Sequence, residues 1–413
     1  LSGVVLTGLG TLGAYGSGCG ALQRALAAAE PLPAADLGEG PGYHRRGGAR
    51  RALLVDPALL RQWLSPNEAR RMSPPSKLAV AAARMALRCA GLAPDTAPDA
   101  RPDERTGVVV ATAFGPSSYS EGLLRQILLD GPESASPFLF TESVANAPAA
   151  QVALAVRARG PGSTVCQREA GALIAVGQAA TEVARGRAPR MLAGSVDEMT
   201  PLLHALLDRF GALARPRDGE LGRPFDRRRS GFLAAEGATM LVVEPAEEAE
   251  SRGARVLARV RAWGSGFDPS ATPTGWGSGH EALARSLVRT LGRAGLRPEE
   301  VDLVVSGASG SRGGDRLEGR MLREVWKGGA ELPPVLAPKG VTGEYGGGFL
   351  AAAVLAATGS PASPAAGFAE PDPEIGLAPY GGAPGSLPPG RRTVLVTSVA
   401  SGGAASWLVL EGA

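Results

Sequence analysis

The stretch GSTVCQREAGALIAVGQAA, residues 162 to 180, reads as a short apolar strand, a sharp turn and an alanine-rich helix. A residue at such a turn sits on a helix N-terminus, where unsatisfied backbone N–H groups and the helix dipole favour negative charge. Enzymes use this layout to present a nucleophile, because it lowers a thiol pKa and supplies donors for an oxyanion. Here the turn carries Glu169.

Working outward, the same alternation recurs. Apolar, strand-like runs lie at 3–10, 107–114, 190–198 and 238–245, with helical spacing between them at 74–92 and 170–187. After Pro245 the pattern begins again, with strands at 254–266, 301–309, 393–403 and 405–412 and a helix at 280–296. Strands alternating with helices predict an α/β fold with a mostly parallel sheet covered on both faces. The restart predicts two related halves, residues 1–245 and 246–413. The Pro/Gly-rich stretch 357–390 reads as a long connection braced by its few apolar residues.

With 413 residues, 44% of them hydrophobic, the chain can bury a large core. No apolar run reaches the roughly 18 residues that a membrane span needs. No basic-then-apolar leader precedes the first strand of this sequence, so the expected location is the cytoplasm and no membrane is a partner. A net charge of +3 from nearly balanced signs argues against a dedicated nucleic-acid binder. The basic runs at 44–51 and 225–231 read as solvated loops. Cys19, Cys89 and Cys166 form no C-x-x-C pair, and His44, His204 and His280 are scattered, so neither a disulfide framework nor a metal site is signalled. Cys166 reads as a small hydrophobe buried within its strand. No cofactor is implied.

Several segments together resemble the β-ketoacyl synthases of the thiolase fold: VVLTGLGTLGAYG (4–16), RRMSPPSKLAVAAARMAL (70–87), VANAPAAQVALAVRARGPGSTV (144–165), LAGSVDE (192–198), GRPFDRRRSGFLAAEGATMLVVE (222–244) and KGVTGEYGGG (339–348). They fall in the family's order and spacing over nearly the whole chain. The resemblance implies two βαβαβ halves in a layered α-β-α-β-α core. It also implies a cysteine that accepts the acyl chain and two histidines that donate hydrogen bonds to the extender thioester carbonyl. The cysteine position falls on Glu169. The first histidine position falls on Gly307, in GASGS (307–311), which is followed by the expected acidic pair Asp315 and Glu318. The second falls on Glu344, five residues after Lys339. The phenylalanine of the family's Gly-Phe-Gly-Gly segment, which lends a backbone N–H to the oxyanion hole, is Ser401. All three reactive side chains are gone.

Within the family this pattern resembles the chain-length factor, the inactive partner of a type II polyketide synthase heterodimer, and equally the inactive subunits that accompany polyene-building ketosynthases. The chain-length factor usually carries glutamine where Glu169 stands. The resemblance then implies a catalytic ketosynthase and an acyl carrier protein as partners. It implies that Ser117, Ser120 and Leu124, at i, i+3 and i+7 of one helix, gate an acyl tunnel at the dimer interface. The alternative for that helix is an amphipathic helix packed on the core. Glu169 and Glu344 are expected near one another with Lys339 close by, as a salt-bridged plug in an obsolete cavity. Two further readings stay open: a malonyl-carrier-protein decarboxylase or hydrolase using Glu169 or Glu344, and a carrier-protein docking module using Arg227, Arg228 and Arg229.

Overall fold

The computed structural model describes residues 1, 3–38, 42–92, 102–328, 331–361, 364–382, 390 and 392–413. Its principal strands are β1 (Val4–Gly13), β2 (Thr106–Ala111), β3 (Gly162–Val165), β4 (Arg190–Asp197), β5 (Gly237–Pro245), β6 (Ala258–Phe267), β7 (Leu303–Ser306), β8 (Val335–Leu336), β9 (Thr393–Val399) and β10 (Ala404–Gly412). They run in the order β8-β7-β9-β10-β6-β1-β5-β4-β2-β3, and the short strand Gly16–Ser17 pairs with β1 to make eleven. The sheet is mixed rather than mostly parallel. Parallel pairs occupy the two flanks, β8-β7-β9 and β4-β2-β3. The middle, from β9 through β10, β6, β1 and β5 to β4, is antiparallel. For one pair the reason is local, since β9 turns straight back into β10 through residues 400–403; β5 and β6 both run antiparallel to β1, which lies between them.

The principal helices are α1 (Pro74–Cys89), α2 (Ser117–Asp130), α3 (Pro137–Ser143), α4 (Ala147–Ala155), α5 (Gly171–Ala184), α6 (Pro201–Arg209), α7 (His280–Arg293), α8 (Arg312–Val325) and α9 (Gly346–Ala357). All twelve residues of α9 are buried, and most of α5 is. Their sequences, GALIAVGQAATEVA and GGGFLAAAVLAA, are apolar on every side and built from small residues, which suits a helix enclosed between two layers. β1 and β6 pair only through Val5–Arg259 and Leu6–Ala258, so the sheet parts there into two wings. α5 lies between them, against β2, β4 and β5 on one side and β6 and β10 on the other; α9 touches β5 and β9 likewise. α1 covers the outer face of one wing and α7 with α8 that of the other, which completes the layered α-β-α-β-α core. Gly177 shows how close the layers come, since a Cβ there would sit 2.2 Å from the Trp263 ring.

The stretch 357–390 falls partly outside the described residues. Where it is described, Ala366, Ile375 and Leu377 are buried and brace it against the body, as its composition predicts. No helix among the described residues is long and apolar enough to cross a membrane.

Candidate functional site

The two enclosed helices point their N-termini at one place. Glu169 ends the turn before α5, while Glu344 and Tyr345 lead into α9. β4 ends there on Asp197, and the chain leaving β9 brings Ser401. Around this convergence lies a cavity of about 510 Å3, lined at its floor by Glu169, Asp197, Glu344 and Ser401. Two helix N-termini favour anions, which is a physical reason for carboxylates to collect there.

Each carboxylate has its own partners. The Ser401 N–H donates to Glu169 Oε2 at 3.2 Å, and the Ser401 hydroxyl approaches the same carboxylate at 3.3 Å. The Ser398 hydroxyl donates to the Glu169 backbone carbonyl at 2.8 Å. Asp197 accepts from the Ala113 N–H at 2.7 Å, from Thr112 at 3.2 Å and from the Gly346 N–H at 3.4 Å. Lys339, with its side chain fully buried, donates to Glu344 Oε1 at 2.6 Å and stands 4.8 Å from the centre of the Phe349 ring. Burial, then the charge of Glu344, push the Glu169 carboxyl up to about 7. Burial pushes Asp197 up to about 6 against its three hydrogen bonds.

The structure therefore brings together Glu169, Glu344, Lys339 and Ser401, as the sequence predicts. It departs from the expectation of a plug, because Glu344 lines a cavity that stays open, with Lys339 buried behind it. Gly307 is buried and lines no part of that cavity; its N–H donates to the Thr397 carbonyl at 2.7 Å. A Cβ at this position would lie 2.8 Å from Ser398 Oγ, so any side chain there must displace that hydroxyl. Asp315 and Glu318 are buried nearby, pushed up by burial to about 6 and about 7, with Glu318 accepting from Ser306 at 2.7 Å and Thr397 at 2.6 Å.

Ser117, Ser120 and Leu124 lie on α2 but none lines the cavity of the single chain. Ser117 donates to Glu198 at 3.1 Å, Ser120 to the Pro116 and Ser143 carbonyls, and Leu124 is 56% exposed. α2 is not a core helix either, since none of its residues is buried. Phe114, three residues before Ser117, does line the cavity, with Met199, Leu203, Leu207 and Phe232. Sequence spacing gave no signal for these apolar walls.

Four other readings are corrected. Cys166 is exposed, because β3 is the outermost strand of its wing and the residue follows it; burial by its remaining neighbours still raises the thiol pKa. His44 and His204 are not scattered: their rings meet with Nε2 and Nδ1 3.0 Å apart, and His204 Nε2 donates to the Arg51 carbonyl at 3.0 Å. The run 44–51 is likewise more than a solvated loop, since Arg45 pairs with Asp208 at 2.7 Å. Among the arginines expected to dock a partner, Arg229 is buried against Asp372 at 2.5 Å and Arg228 is held by Asp226 at 2.9 Å. Only Arg227, paired with Glu370, is mostly exposed. Sequence reasoning also missed Arg168, whose guanidinium donates to the carbonyls of Pro273 and Ser401 from a backbone at φ 44°. That left-handed conformation costs on the order of 1–3 kcal/mol and persists where surrounding contacts impose it.

Comparison with known proteins places this site in a family. The model of the β-ketoacyl synthase N-terminal domain matches residues 37–249, and that of the C-terminal domain matches residues 257–359. The chain is 31% identical to the granaticin polyketide putative β-ketoacyl synthase 1 of Streptomyces violaceoruber, over 91% of this chain and 90% of that protein. It is 31% identical to the actinorhodin polyketide putative β-ketoacyl synthase 2 of Streptomyces coelicolor, over 78% of each. Among solved structures, the ishigamide ketosynthase/chain length factor superimposes with a TM-score of 0.86 at 29% identity, covering 99% of both chains.

Proposed function

This chain belongs to the β-ketoacyl synthase family, and on that premise we propose that it is a non-catalytic subunit that pairs with an active ketosynthase and shapes the acyl tunnel that sets polyketide or polyene chain length. The observation that carries the reading is at Ser401. Its N–H, the donor that an acyl carbonyl would need, is already covered by the carboxylate of Glu169. The residue standing at the nucleophile position thus blocks its own oxyanion site. A carboxylate can attack an acyl carbon, but the mixed anhydride hydrolyses rather than condenses, and Gly307 offers no side chain to polarise a carbonyl. The same blockage weighs against a decarboxylase or hydrolase, which would need that carbonyl held.

Pairing is supported by a set of exposed apolar side chains on the helices at one end of the sheet. Leu124, Leu128 and Leu129 on α2 and Phe138 and Phe140 on α3 are exposed, as is Leu154 on α4, and these helices contact one another in that order down to β3. β3 pairs only with β2, leaving its outer edge open among the described residues. An open edge flanked by apolar side chains is a surface that proteins normally cover. A related subunit presenting the same elements is the occupant this reading assigns. It names an acyl carrier protein as the second partner, delivering chains to the active mate.

The test is co-expression with a catalytic type II polyketide ketosynthase. A stable heterodimer whose product length changes with substitutions in this chain is expected. Two subunits that purify apart, or a product indifferent to this chain, would reject the proposal.

A further inference from the structure

Residues 43–49 form a strap between two helices. At one end the Tyr43 hydroxyl donates to Glu121 and accepts from Arg125 at 3.3 Å, both on α2. At the other the Arg45 guanidinium pairs with Asp208 of α6 at 2.7 Å, and the Ala49 N–H donates to the same carboxylate at 3.1 Å. Between these anchors His44 Nε2 meets His204 Nδ1, also of α6, at 3.0 Å. Both side chains through which α6 holds the strap are therefore titratable. Leu203, Leu206 and Leu207 of α6, with Phe210 just after it, line the cavity, so a strap that grips this helix also holds the cavity wall.

The neighbours of the two rings fix how many protons they can share. A carbonyl only accepts, so the bond to Arg51 places a proton on His204 Nε2 and, in the neutral ring, leaves Nδ1 as an acceptor. His44 then carries a proton on Nε2, directed at that acceptor. One added proton goes to the other nitrogen of His44 and leaves the contact intact. A second has no place but His204 Nδ1, where it sets two N–H groups and two positive charges against each other across 3.0 Å. The rings must then part. His204 is fully buried in α6, whereas His44 is half-buried on the strap, so the strap is the part that moves.

We propose that residues 43–49 are an acid-released strap, clasped to α6 by the single proton between His44 and His204, and that its release frees the α6 wall of the cavity. The proposal does not rest on pairing with a ketosynthase. Burial, then the charge of Arg50, hold His44 below the usual imidazole range, against the pull of Asp208, Asp36 and Glu220. Burial holds His204 below it too; the Arg51 carbonyl opposes this, His44 adds to it, and Glu220 and Asp208 oppose it. These groups face the pair from the strand Ala35–Asp36, the strap, α6 and the turn at Glu220. Against its own burial, Arg45 and the Ala49 N–H keep Asp208 below the ordinary carboxylate range, so it stays ionised while the imidazoles titrate. The folded chain takes up the two imidazole protons at lower pH than the unfolded chain does. The stability they contribute is thus present above the ordinary 6.5 and lost as pH falls.

The experiment follows the full chain between pH 7.5 and pH 5 by two measurements. The sequence holds three histidines, few enough for the imidazole nitrogens to be titrated one by one by NMR in the 15N-labelled protein. His44 and His204 are expected to take up protons in two linked steps, both below free histidine in the same buffer. Hydrogen exchange, corrected for the intrinsic effect of pH, is expected to speed up at least tenfold over residues 43–49 at pH 5, while α1 keeps its protection. In His44→Gln the amide oxygen can accept from a protonated His204, so exchange over the same residues is expected to change less than threefold. Should that variant fail to fold, the two measurements on the unaltered chain decide alone. Histidines at 44 and 204 that titrate independently or like free histidine, a strap whose exchange ignores pH, equal opening in His44→Gln, or loss of protection throughout the chain would overturn the proposal.

Discussion

At the scale of single residues, the carboxylate at position 169 has a measurable consequence. The unfolded chain releases this proton near the usual 4.5, the folded chain near 7. Between those values the native state holds the extra proton, so this group makes stability fall as pH rises through that window and leaves it level above. The slope for one group reaches about 1.4 kcal/mol per pH unit. Glu169→Gln is therefore expected to gain on the parent in urea unfolding as pH goes from 5 to 7.5. A difference between the two proteins that stays constant over this range would show that Glu169 titrates normally. Glu169 was legible because it precedes a helix whose apolar pattern shows in the sequence, and Glu344 because KGVTGEYGGG (339–348) resembles a segment of the family. Three things were not. The Glu169–Ser401 contact spans 232 residues of chain, and His44 meets His204 across 160. The exposure of Cys166 depends on β3 being an outermost strand, which a four-residue apolar run cannot reveal.

At the scale of elements, α2 decides most. An amphipathic repeat looks alike whether its apolar side meets a core or a partner, and the sequence left both open; in the folded chain Leu128 is 78% exposed and Leu129 72%. Burying a leucine side chain fully is worth about 1.5–3 kcal/mol, so two of them can decide an association. Leu128→Glu together with Leu129→Glu is expected to weaken co-purification with a ketosynthase at least tenfold while leaving the melting temperature of the isolated chain within a few degrees. Retained pairing would remove α2 from the interface. The gate assigned to Ser117, Ser120 and Leu124 has a separate readout. Replacing Ser117 and Ser120 with phenylalanine is expected to shorten the product of the heterodimer, and a product of unchanged length would dismiss these residues as tunnel walls. α5 was legible as a helix from its apolar spacing; α9, whose GGGFLAAAVLAA is apolar on every side and so carries no amphipathic period, was not.

At the scale of the whole molecule, the alternation of strands and helices gave the class of fold but not the direction of the strands. A mostly parallel sheet was expected, but the central strands are antiparallel: β9 and β10 form a hairpin, while β1 pairs with β5 and β6 with β10 across more than a hundred residues of chain, which local patterning does not reveal. The layered core then delivers two helix N-termini to one cavity, and everything claimed about function follows from what stands at that meeting point. The most direct measurement is carbon–carbon bond formation by the purified chain alone, supplied with acetyl- and malonyl-loaded acyl carrier protein and read by mass spectrometry of the carrier-bound products. No elongated product is expected from this chain by itself, and elongation on adding a ketosynthase partner. An elongated chain made without any partner would contradict the account.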